Sequence, residues 1–115
     1  MTMTAAMLGS KLERYESEAI EAVEHAKTCA REMAEAERDY RRAWSIAYAS
    51  SEAGSHAAKK AEADAVENVE RLRHEATLTA ALWTAALENS RTRRAVLSSA
   101  QTYGAMVRAE AELSR

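Results

Sequence analysis

Proline is absent from this 115-residue chain, glycine occurs three times and phenylalanine not at all. A helix once begun therefore meets almost nothing that would stop it. Strands are disfavoured as well: aromatic residues make up 5% of the chain, and alanine, glutamate, arginine and leucine, all strong helix formers, dominate it. No sheet is expected. The lone cysteine, Cys29, excludes an internal disulfide and suits a reducing compartment. Residues 1–10 lack a basic start and a long apolar run, so they do not read as a signal peptide. The most apolar window, Ala76 to Leu87, is too short to span a bilayer. A net charge of −2, from 16 basic and 18 acidic residues, gives no polyanion-binding field. A soluble, cytoplasmic protein with no membrane role is expected.

What is present is helical punctuation and a heptad. Gly9 precedes Ser10, and Ser10 with Glu13 has the spacing of a capping box, which predicts a helix from residue 10 after a tail over 1–9. From Leu12 a heptad runs unbroken, with first positions Leu12, Ala19, Ala26, Met33, Tyr40 and Ala47 and fourth positions Tyr15, Ala22, Cys29, Ala36, Ala43 and Ser50. The next break is Ser50 to Ser55, where Gly54 is suited to a left-handed helix end and Ser55 to capping the following helix. The second helix carries Ala65, Val69, Leu72, Ala76, Thr79, Trp83, Ala86, Ser90, Leu97, Ala100, Gly104, Val107 and Ala111 at alternating three- and four-residue spacing, with Arg93 as a charged intruder. The expected architecture is all-α: a single hairpin domain over 10–115, built as helix 10–52, turn 53–55 and helix 56–113.

Folding the two helices back about Gly54 sets residues whose numbers add to about 109 side by side, given equal rise per residue. Trp44 then faces Ala65 and Met33 faces Ala76, large against small, as interdigitated packing requires. Much of the apolar content is alanine, however, and at about 25 cal/mol per Å² it stabilises a lone hairpin only thinly. More apolar surface is needed from a second copy or another protein. The register leaves Ala100 to Arg115 projecting past the first helix, with Tyr103, Met106, Val107 and Leu113 at helical spacing. In Ala76 to Leu87, Leu78, Leu82 and Leu87 fall off the seam that includes Trp83. Both segments are candidate docking faces, and a homo-oligomer is expected, most simply two hairpins forming a four-helix bundle.

Chemistry-bearing constellations are few. His25 and Cys29 share a helix face with Glu21, but no further Cys or paired His completes a zinc set, so no metal is expected. No nucleophile motif or phosphate-cradling glycine loop is present, and the carboxylates are interleaved with arginine and lysine as on a solvated helix. The chain reads as a non-enzyme without a cofactor. Arg91, Arg93 and Arg94 form the best nucleic-acid candidate. The register sets them beside Glu13, Glu16, Glu18 and Glu21, so charge pairing between the helices is the stronger expectation. Tyr40, Trp44 and Tyr48 make an aromatic stripe at i, i+4, i+8 that fits core packing first and an interface hot spot second.

Two segments carry a resemblance: Asp39 to Asp64, DYRRAWSIAYASSEAGSHAAKKAEAD, and Arg91 to Leu113, RTRRAVLSSAQTYGAMVRAEAEL. They resemble small helical proteins of tailed bacteriophages, encoded among early or recombination genes. In those proteins a Tyr- and Ala-rich helix breaks at Gly-Ser or Gly-Thr and the second helix ends in Arg-x-Arg-x-x-x-Leu-Ser-x-x-Gln. Arg91, Arg93, Leu97, Ser98 and Gln101 match that ending here. The resemblance implies a cytoplasmic protein of an infected host that binds a host or phage protein, or else a recombination accessory that binds single-stranded DNA or a DNA-processing enzyme. A third likeness, to secreted helical hairpins with Trp-x-Gly in the turn, lacks its motif, because Trp44 and Gly54 are ten apart.

Overall fold

The structure is a computed structural model that describes residues 4–114; Met1 to Met3, in the expected tail, and Arg115 lie outside the described residues. The chain is all-α, a helical hairpin of three helices in the order α1 (Ala5–Ser50), α2 (His56–Ala65) and α3 (Glu67–Leu113). No described residue is in a strand. Contacts divide the chain into two compact units, Met1–Ala26 with Ala86–Arg115, and Lys27–Ala85.

In the first of these units α1 begins at Ala5, not at Ser10. Thr4 provides the start: its Oγ1 accepts from Met7 N at 3.2 Å and its carbonyl from Leu8 N at 3.0 Å. Burial explains why this cap prevails over the capping box. Starting one and a half turns earlier places Leu8, 9% exposed, against α3, where its side chain lies over Gly104. α1 therefore covers α3 as far as Gly104, and the projecting segment is shorter than the register predicted. As residue numbers rise from Leu8 to Glu18 on α1, the partners fall from Gly104 to Arg93 on α3, so the two helices run antiparallel here. Ala19, Ala22 and Ala26 are buried at the expected heptad positions, with Ala86, Ser90 and Gly104 facing inward from α3.

In the second unit Cys29 and Ala36 continue the buried stripe of α1, with Met33, Tyr40, Ala43 and Ala47 half-buried and Ser50 exposed. The helix ends without a left-handed residue, because no glycine has positive φ. Instead Ser51 N donates to Tyr48 O at 3.2 Å, closing the last turn tightly, and Ser51 Oγ accepts from Ala53 N. Ser55 then caps α2 from an extended conformation, φ −138° and ψ 160°, accepting from Ala58 N at 3.1 Å.

The expected single second helix is interrupted at Val66, whose ψ of 126° is extended. The residue that α2 turns inward is Ala63, fully buried, and the expected seam residue Ala65 is exposed. On α3 the inward residue is Val69, 1% exposed. Six residues of unbroken helix at about 100° each would leave Ala63 and Val69 roughly 120° apart, so both cannot face α1 unless the phase is reset between them. Val66 resets it. Its N–H donates to Ala63 O at 3.3 Å and its carbonyl accepts from Glu70 N at 2.9 Å, so one residue closes α2 and starts α3.

Candidate interaction surfaces

The polar cross-links sit where the sequence placed aromatic and charged residues. In the unit Lys27–Ala85, Trp44 Nε1 donates to Asp64 Oδ1 at 2.9 Å, one residue from the Ala65 that the register set opposite it. Tyr48 stacks on Trp44 with centroids 5.2 Å apart, its hydroxyl bonds His56 Nδ1 at 2.6 Å, and Lys59 lies 5.8 Å over its ring. Ser51 Oγ donates to Glu62. The aromatic stripe is thus half-buried, with Trp44 and Tyr48 tied to α2, and Met33 shares a groove with Ala76 as expected. The unit therefore holds its helical phase by side-chain bonds as well as by alanine contacts.

In the unit Met1–Ala26 with Ala86–Arg115, Arg93 reaches Glu18 at 3.3 Å, the charge pairing between helices that the register predicts. Arg14 also lies 3.8 Å from Glu18. Arg91 and Arg94 are exposed and ion-paired with no described residue. Among the described residues, only Arg93 of the three candidate nucleic-acid contacts has an acidic partner.

The expected docking residues separate into exposed and half-buried groups. Leu78 and Leu82, one turn apart on α3, are 48% and 50% exposed, while Trp83 is half-buried in the same unit. Tyr103, Met106 and Leu113 are 50%, 58% and 87% exposed, while Leu87 and Val107 are half-buried. Ala76 to Leu87 contains no charged residue, and neither does Ala95 to Val107, in a chain that is 30% charged. The threonine hydroxyls within these stretches bond back along the helix: Thr77 donates to Arg73 O, Thr79 to Glu75 O, Thr84 to Ala80 O and Thr102 to Ser98 O. Such back-bonding satisfies the hydroxyl locally, so it makes no demand on water or on a partner. Leu78, Leu82, Tyr103 and Met106 are thus exposed on uncharged segments.

Exposed apolar residues are not confined to α3. Ile20 is 59% and Ile46 61% exposed on α1, and Val66 is 42% exposed at the helix break. The signal was available, since Ile20 and Ile46 lie off the first and fourth heptad positions just as Leu78 and Leu82 lie off the second seam. Ile46 and Val66 line one groove with Arg42, Ser50 and Glu62. Ile20 lines another with Glu16, Glu24, Arg94 and Leu97. A third groove joins Leu8, Lys11 and Tyr15 of α1 to Val96, Ser99 and Tyr103 of α3.

Among the described residues no group of three or more His, Cys, Asp and Glu side chains could hold a metal ion, and no helix is long and apolar enough to cross a membrane. No protein-family model, curated protein or solved structure matches this chain.

Proposed function

We propose that this chain is a non-enzymatic coiled-coil interaction protein, phage-encoded and cytoplasmic in the infected host, that pairs with itself and binds a host or phage protein through α3. The observation that carries this reading is the pair of uncharged α3 segments, which expose Leu78, Leu82, Tyr103 and Met106 beside threonines whose hydroxyls are already bonded. Large exposed apolar residues on a helix surface are what a partner helix or groove recognises, at i, i+3, i+4 and i+7 anchors. The phage assignment rests on the resemblance carried by Arg91, Arg93, Leu97, Ser98 and Gln101.

Affinity capture from host lysate, run in parallel with wild type and with Leu78→Glu/Leu82→Glu and Tyr103→Glu/Met106→Glu variants, tests the binding claim. A protein retained by wild type and lost with either variant supports it. The same proteins retained by all three contradict it.

A second reading, single-stranded DNA binding as a recombination accessory, is favoured by one observation: Arg91 and Arg94 are exposed and ion-paired with no described residue. Phosphate contacts of this kind lose affinity steeply with salt. Binding of labelled oligonucleotide at low salt that Arg91→Ala/Arg94→Ala weakens supports this reading; no binding at low salt excludes it.

A further inference from the structure

We propose that the self-pairing surface is the face formed by Glu16, Ile20 and Glu24 of α1 with Arg94 and Leu97 of α3, and that its occupant is a second copy of this chain related by a twofold axis running along the helices. The inference rests on the reading of the chain as self-assembling and names the surface that does it.

The face is built from spacing. Glu16, Ile20 and Glu24 are four apart and form one stripe on α1, an aliphatic knob between two carboxylates. Ile20 is 59% exposed in a groove that it shares with Val23, Arg94 and Leu97. A large β-branched side chain left in water forgoes the stabilisation that burial would give. The level of the groove is set by the neighbouring pair, Arg93 with Glu18 at 3.3 Å, which brings Arg94 alongside the middle of the acidic stripe. Arg94 nonetheless has no ion pair with a described residue.

A second copy completes this arrangement because the two edges of the face carry opposite charge. A twofold axis along the helices keeps each residue at its own level and exchanges the edges, so that α1 of one copy lies over α3 of the other. Arg94 of the partner then arrives at the level of Glu16 and Glu24, and Ile20 meets the partner's Leu97, with the same contacts repeated in reverse. A twofold axis across the helices would instead set α1 on α1, placing carboxylate stripe on carboxylate stripe and Arg94 on Arg94. Opposite charges at matched positions select the first arrangement and repel the second. It also makes every neighbouring pair of helices antiparallel, as in an up-and-down four-helix bundle.

The interior is also poor in large side chains: among the described residues, Leu8 and Val69 are the only buried hydrophobic residues larger than alanine or cysteine.

Sedimentation equilibrium of the full chain tests the proposal with three variants, each checked for helicity by circular dichroism. Ile20→Glu should weaken the dimer by about a hundredfold, by placing a charge at its centre. Arg94→Glu and the pair Glu16→Arg/Glu24→Arg should each weaken self-association by about tenfold or more, and an equimolar mixture of these two should recover a tight heterodimer, because each restores the charge the other has lost. Wild-type dimers that persist unchanged in all three variants would overturn this face while leaving self-assembly standing. A wild type that stays monomeric at about 100 μM, well above the dissociation constants of stable homodimers, would overturn both.

Discussion

Leu8 of α1 lies over Gly104 of α3 so closely that a methyl group on Gly104 would sit 3.5 Å from Leu8 Cδ2 and 3.8 Å from Leu12 Cδ1. Those are ordinary van der Waals distances, so the position has room for one carbon and little more. Glycine inside a helix costs about 0.5 to 1 kcal/mol relative to alanine. Gly104→Ala should therefore raise the free energy of unfolding by about that amount in urea denaturation. Gly104→Leu should lower it, because the larger side chain displaces Leu8. A destabilised Gly104→Ala would show that the contact is tighter than the distances indicate.

The bond from Trp44 Nε1 to Asp64 ties α2 to α1 in the unit Lys27–Ala85. Asp64→Ala leaves a part-buried indole donor without its acceptor and should cost about 1 to 2 kcal/mol. Asp64→Asn keeps a carbonyl oxygen at the same place and should cost less than half of that. Equilibrium unfolding followed by tryptophan fluorescence distinguishes the two; equal loss in both would show that the carboxylate charge, and not the acceptor, is what matters.

α2 is ten residues long, too short to persist without its cap and its packing. Ser55→Ala removes the acceptor for Ala58 N and should destabilise by about 1 kcal/mol. Gly54→Ala, by contrast, should be neutral or stabilising. Gly54 has no positive φ, and no atom lies within 4 Å of where a Cβ would be. A large loss on Gly54→Ala would contradict this backbone geometry.

Helix type and the α1 seam were legible in the sequence because they follow from composition and period. Ala19, Ala22, Ala26, Cys29 and Ala36 recur at heptad positions and are the residues buried. What period alone could not supply was the outcome of competition between equivalent local signals. Thr4 and Ser10 are both competent caps, and the burial of Leu8 against Gly104, a contact distant in sequence, decides between them. Val66 gives no warning either. No glycine or proline marks the break, and its cause is the need to turn both Ala63 and Val69 toward α1. The docking residues were half legible: Leu78, Leu82, Tyr103 and Met106 stood out as apolar residues off the seam or past its end. Ile20 carries the same mark, but the α1 heptad is complete without it, so period alone assigns it no neighbour.

Self-pairing is the claim on which the proposed role most depends, and static light scattering of the full chain across the micromolar range measures it directly. The expected result is a mass near twice 12.7 kDa that falls toward the monomer only on dilution. A monomeric mass of 12.7 kDa at every concentration would contradict it.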